Sequence, residues 1–192
     1  MSRKETRGTA GDRGADVHVA LLRGINVGGK NKLSMDELVR VFAAEGCSDV
    51  RTYIQSGNVV FRAVPALAAR LARRVAERIQ RRLGLRVPVV LRTARELERV
   101  ARENPFLAPG ADTDALHVMF LLDAPKKAAV AGLDPERSPP DEFVVVGREI
   151  YLCCPRGVAR TKLTNAWFDA QLATTSTMRN WRTVLKLIEL AS

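Results

Sequence analysis

Two hydrophobic periods alternate along this chain, and the switches between them outline its elements. Residues 17–23, VHVALLR, form a short apolar run suited to a buried strand. A glycine-rich loop follows. Ser34-Met35-Asp36-Glu37 is an S-x-x-E capping box, and Leu38, Val39, Phe42 and Ala43 carry a helical face on to Gly46. Residues 50–54 and 58–63 read as strands on either side of a turn at Gln55-Ser56-Gly57. After Pro65, Leu67, Leu71, Val75, Ile79 and Leu83 recur every four residues, with Arg70, Arg74, Arg78 and Arg81 on the other side of that helix. Gly84 ends it, and residues 87–92 supply another strand, which Pro88 marks as an edge or a strand start. The order β-α-β-β-α-β is that of a ferredoxin-like sheet with two helices on one face.

The second half repeats this order less completely. Residues 94–103 read as a connecting helix that stops before Asn104-Pro105, and 115–123 as a strand. A short helix over 126–132 precedes a hairpin, EFVVVG and EIYLCC, turning at Gly147-Arg148. A helix capped by Thr164 runs through Trp167, Phe168 and Leu172. Trp181, Val184, Leu185 and Ile188 then define an amphipathic C-terminal helix. The pattern predicts an α+β protein of two ferredoxin-like (β-α-β-β-α-β type) subdomains, the second less regular and carrying an extra C-terminal helix. It also predicts a polar, disordered tail over 1–16, the first subdomain over 17–93, a connecting helix and loop over 94–113, and the second subdomain over 114–192.

One stretch complicates that assignment. Gly24-Ile25-Asn26-Val27-Gly28-Gly29-Lys30-Asn31 matches a phosphate-binding P-loop everywhere except the last position, where Asn31 replaces Ser or Thr. The capping box places the helix start at Ser34, too late for such a loop, and the hairpin over 50–63 does not belong in a parallel sheet. What remains is a loop of exposed N–H groups beside Arg23, Lys30 and Lys32, suited to cradling an anion.

Composition narrows the classes. The chain has 192 residues, 46% of them hydrophobic, and no apolar run of the length a bilayer requires. The N-terminal segment lacks an apolar core, so a cytoplasmic location without a membrane partner is expected. Cys47, Cys153 and Cys154 read as small buried side chains. His18 and His117 lie in strand-like runs, so no metal site and no cofactor are expected. The net charge is +10, and residues 17–92 hold 14 basic side chains against five acidic ones while 93–192 are neutral. Seven of those arginines fall between Ala66 and Arg86. Arg70, Arg74, Arg78 and Arg81 are therefore candidates for electrostatic nucleic-acid binding, although the RNP aromatics of an RRM are missing.

LLRGINVGGKNKLSM, YIQSGNVVF and the late TKLTNAWF…ATTSTMRNWRTVLKL resemble the bacterial family known as domain of unknown function 1697, over residues 17–190. The resemblance implies a pair of ferredoxin-like subdomains and brings no activity with it. Where the family commonly reads Ser-Lys-Leu, this chain reads Thr161-Lys162-Leu163. The same motifs hold three polar stretches: Arg23 to Asn26 with Lys30-Asn31-Lys32, the turn Gln55 to Asn58, and Arg160-Thr161-Lys162 with Thr174 to Trp181. Their convergence would create a groove between the subdomains for a small phosphorylated or carboxylate ligand. Its candidate ligands are Arg23, Asn26, Gly28, Gly29, Lys30, Asn31, Ser56, Asn58, Lys162, Arg179 and Asn180, with Arg179 able to bind in a bidentate manner. Lys30, Lys162 and Tyr53 are available for acid–base chemistry, but no paired nucleophile and base is visible, and whether the protein is an enzyme stays open. Self-association through the sheets or the last helix is a third, non-catalytic reading.

Overall fold

The computed structural model describes residues 14–29 and 31–192. Most of the expected disordered tail and the candidate Lys30 lie outside the described residues. Within them the fold is mixed α+β, with two four-stranded antiparallel sheets and six α-helices. The first half comprises β1 (Asp16–Leu22), α1 (Met35–Ala44), β2 (Ser48–Tyr53), β3 (Asn58–Ala63), α2 (Pro65–Leu83), β4 (Val89–Thr93) and α3 (Ala94–Arg102). The second comprises β5 (Leu116–Leu121), α4 (Lys127–Ala131), β6 (Glu142–Val146), β7 (Glu149–Cys153), α5 (Asn165–Leu172), β8 (Ser176–Asn180) and α6 (Trp181–Ala191). The seven-element order is therefore the same twice. Sheet orders agree as well: β2-β3-β1-β4 and β6-β7-β5-β8.

Two expectations are corrected here. Residues 176–180, read as part of a polar loop, form β8, which pairs with β5. Its register explains the polarity: Thr177 and Arg179 are buried side chains with protein partners, so hydrophobicity does not mark the strand. The C-terminal helix is likewise not an addition to the second half alone. It follows β8 as α3 follows β4, and the last strand residue caps the helix in both places. Thr93 accepts from the Glu96 N–H at 3.2 Å, and Asn180 accepts from the Thr183 N–H at 2.8 Å.

Strand alternation sorts the core into three layers. Ala20, Leu22, Val59 and Phe61 point outward from the first sheet against Leu38, Phe42, Leu71, Val75 and Ile79 of α1 and α2. Met119, Leu121, Ile150 and Leu152 do the same in the second sheet, facing Phe168 and Leu172 of α5. The opposite faces, with Val19, Leu21, Val60 and Val90 from one sheet and Val118, Phe120 and Tyr151 from the other, share a middle layer with α3 and α6. Tyr151 donates to the Val100 carbonyl of α3 at 3.2 Å, and Arg51 of β2 donates to the Leu190 carbonyl of α6 at 3.1 Å. Tyr151 and Arg51 thus each reach the closing helix of the other half.

Candidate functional site

Strand register sets up the polar chemistry of the middle layer. Leu21 faces Asn58 and Val19 faces Arg92, while Phe120 faces Glu149 and Val118 faces Arg179. Arg92 and Arg179 therefore occupy equivalent positions in the two halves, as do Asn58 and Glu149. Each arginine crosses to the other sheet. Arg92 donates to Glu149 Oε1 at 2.7 Å, and to the Leu121 and Arg148 carbonyls at 2.9 and 3.0 Å. Arg179 donates to Asn58 Oδ1, to the Leu22 carbonyl at 2.8 Å, and to the Ser56 and Gly57 carbonyls at 3.2 and 3.3 Å. Thr177 Oγ1 and the Met178 carbonyl complete its set of acceptors. Where Arg92 meets a carboxylate, Arg179 meets an amide. Burial among neutral groups pushes the Arg179 guanidinium down to about 10.

These bonds bring parts of the three polar stretches together and occupy the donors they contribute. Arg23 is ion-paired with Asp169 of α5, whose second oxygen accepts from Ser176 at 2.6 Å. Asn58 is fully buried and also donates to Ser56 Oγ at 2.9 Å and to the Tyr53 carbonyl. Lys162 is exposed, and its backbone N–H is held by Ser138 at 2.9 Å, beside the start of β6. Among the described residues, no hydrogen bond or ion pair joins Lys162 to the glycine loop. Asn180 is the cap of α6 and lines a small pocket with His117.

The glycine loop itself is a built structure. Asn26 and Asn31 adopt φ of 55° and 50°, and Gly28 and Gly29 adopt 57° and 75°. Asn26 donates to the Leu33 carbonyl at 2.8 Å and to the Gln55 carbonyl at 2.9 Å, and accepts from the Leu33 N–H at 2.9 Å. Asn31 donates to the Gly24 carbonyl at 2.9 Å. One asparagine thus ties the loop to the β2–β3 turn. Beside that tie lies a groove of about 570 Å³, lined by Asn26, Gly29, Lys32, Ser34, Asp36 and Gln55 over Leu33 and Met35. The Ser34 hydroxyl accepts from the Glu37 N–H, so α1 begins where the capping box predicts. Both neighbours of β1 are antiparallel to it, unlike the parallel sheet of a P-loop fold. Among the described residues Lys32 has no carboxylate within ion-pair distance, whereas Arg23 does. Val27 and Ile54, 66% and 51% exposed, stand on the same two loops. Lys32 and Gln55 belong to the polar stretches, but Leu33, Met35 and Asp36 carry no signal beyond the capping box.

The arginine face of α2 forms a second feature. Arg70, Arg74, Arg78 and Arg81 line one groove of about 340 Å³ together with Arg73, Glu45 and Glu77. Arg74 and Arg78 both grip Glu45, whose side chain is 2% exposed. Burial raises the Glu45 carboxyl, but the hydrogen bonds from Arg78 and Arg74 outweigh it and leave it below its ordinary value.

Among the described residues, no group of three or more His, Cys, Asp or Glu is arranged to hold a metal, and no helix is long and apolar enough to cross a membrane. No curated protein matches the chain. Among solved structures, the conserved bacterial protein SP0830 from Streptococcus pneumoniae is similar in fold, with a TM-score of 0.72 at 21% identity over 93% of this chain and 99% of that one. The family model described as protein of unknown function (DUF1697) matches residues 16–151, which span the glycine loop, the β2–β3 turn and both sheets as far as β7. The chain belongs to that family.

Proposed function

We propose that the groove between the glycine loop and the β2–β3 turn binds a small anionic ligand, phosphorylated or carboxylate. The observation that carries this reading is an exposed Lys32, without an ion-pair partner among the described residues, on the groove of about 570 Å³, with Asn26, Gly29, Ser34 and Gln55 around it. Asp36 lines the same groove, so the fitting ligand pairs its anion with a hydroxyl that can donate to a carboxylate. Arg23 and Arg179 support the groove from behind, one through α5 and the other through Ser56 and Gly57. The same reading takes each half as ferredoxin-like, supported by the repeated β-α-β-β-α-β order and matching sheet orders. It divides the chain at 17–93, 94–113 and 114–192, in a cytoplasmic setting that its three free cysteines suit.

The test is a thermal-shift series with inorganic phosphate, sugar phosphates and hydroxycarboxylates. Native-state binding raises Tm by mass action, worth about 2.7 kcal/mol at a hundredfold excess over Kd. Lys32→Ala is expected to remove the shift without lowering Tm in the absence of ligand. A shift that survives Lys32→Ala, or no shift with any of these compounds, overturns the assignment.

A further inference from the structure

The outer face of α2 is a second charged surface, independent of the groove at Lys32. Its inner face is fixed by Leu71, Val75 and Ile79, all fully buried against the first sheet. The opposite face therefore has one orientation, and it is arginine. Arg70, Arg73 and Arg81 are exposed there, flanking the Arg74 and Arg78 pair that Glu45 holds. Among the described residues, Arg70 and Arg81 have no carboxylate within ion-pair distance, and Arg73 reaches Glu77 only at 3.6 Å between exposed side chains. At 1.5 Å per residue, positions 70 to 81 place this charge along about 16 Å of helix.

We infer that this face binds duplex nucleic acid through its phosphates. Three observations select that partner. The guanidinium is a planar donor fork that matches phosphate oxygens, and here Glu45 pre-orders two of them in a row. The groove lining contains no aromatic residue, so it offers no platform on which single-stranded bases would stack. The apolar face of the helix is buried at Leu71, Val75 and Ile79, and the one exposed leucine at its end, Leu83, is too little to enter a lipid interface. Recognition is by charge and backbone spacing, without base reading.

The experiment measures fluorescence anisotropy of a labelled duplex of about 20 base pairs between about 50 and 200 mM salt. Three to four phosphate contacts give a log–log salt slope of about −2.7 to −3.6. Arg70→Glu combined with Arg81→Glu is expected to weaken binding at least about tenfold. Both side chains are exposed, so circular dichroism and Tm should match the parent. Arg156→Glu with Arg160→Glu changes the net charge equally in the second half and should leave affinity unaltered. The inference is overturned by absence of binding at the lower salt, by a flat salt response, by equal losses in both double variants, or by tighter binding to anionic phosphatidylserine vesicles than to duplex.

Discussion

The two arginine ties across the middle layer allow one to calibrate the other. In the first, the Arg92 side chain is 0% exposed and Glu149 8%, with 2.7 Å between Nε and Oε1. Glu149→Ala removes the counter-charge and leaves Arg92 with the Leu91, Leu121 and Arg148 carbonyls alone. Stripping one partner from a buried pair costs about 3–5 kcal/mol. Glu149→Gln keeps an oxygen in place and converts the tie into the chemistry that Asn58 already provides for Arg179. The guanidinium still makes a charge-assisted bond, and the variant no longer has to bury a carboxylate, so the expected loss is about 1–2 kcal/mol. Urea denaturation measures both, with an unchanged m-value showing that the folded state has not loosened. For a chain of this size the Tm should fall by about 2–4 °C per kcal/mol. If glutamine proves as damaging as alanine, a neutral acceptor does not serve a buried arginine here, and the energetic equivalence of the two ties is wrong.

Further outcomes follow from single positions. Gly57 adopts φ 76°, and a Cβ there would lie 2.7 Å from Leu22 Cβ, so Gly57→Ala should destabilise by about 2 kcal/mol or more, read by the same denaturation assay. Stability should also fall in acid. Burial lowers the pKa of both His18 and His117 from 6.5, outweighing Asp16, Glu96 and the Ala63 carbonyl at the first and the Ala115 carbonyl at the second. Protonation then favours the unfolded chain, so their contribution is complete above pH 6.5 and declines as pH drops below it. Glu45 and Glu96, both lowered from 4.5, add a second loss below that value; a Tm unchanged between pH 8 and 5 would contradict the histidine part.

The first half was legible because its signals are local. A fourfold apolar spacing from Leu67 to Leu83, a capping box at Ser34 and a Gln-Ser-Gly turn each specify an element within a few residues. The second half conceals β8 because Thr177 and Arg179 are buried for reasons that lie more than a hundred residues away, at Leu22 and Asn58. Sequence polarity there reports hydrogen bonding to the other sheet, not solvent. The same cause separates the candidate site from the structure: Arg23 and Arg179 stand in the sequence as candidate ligand donors, and both find acceptors across the halves. Lys32 and Gln55 sit in the right stretch, but which loop donors stay unpaired depends on contacts that no spacing reveals. The arginines of α2 are the simplest case, because a surface helix face needs only its own period to be seen.

The two closing helices share one middle layer, and that layer joins the halves. No hydrogen bond or ion pair named above as joining the two sheets runs through residues 103–112. Bonds between the halves come instead from side chains that include Arg92, Arg179, Tyr151, Arg51, Arg23 and Arg148. Each half gives one face of its sheet to the shared layer, and the connecting segment joins that layer too, with Asn104 buried and Phe106 packed against it. A nick within that segment leaves the interlocked layers to hold by themselves, whereas either fragment alone exposes the apolar face that the other would cover.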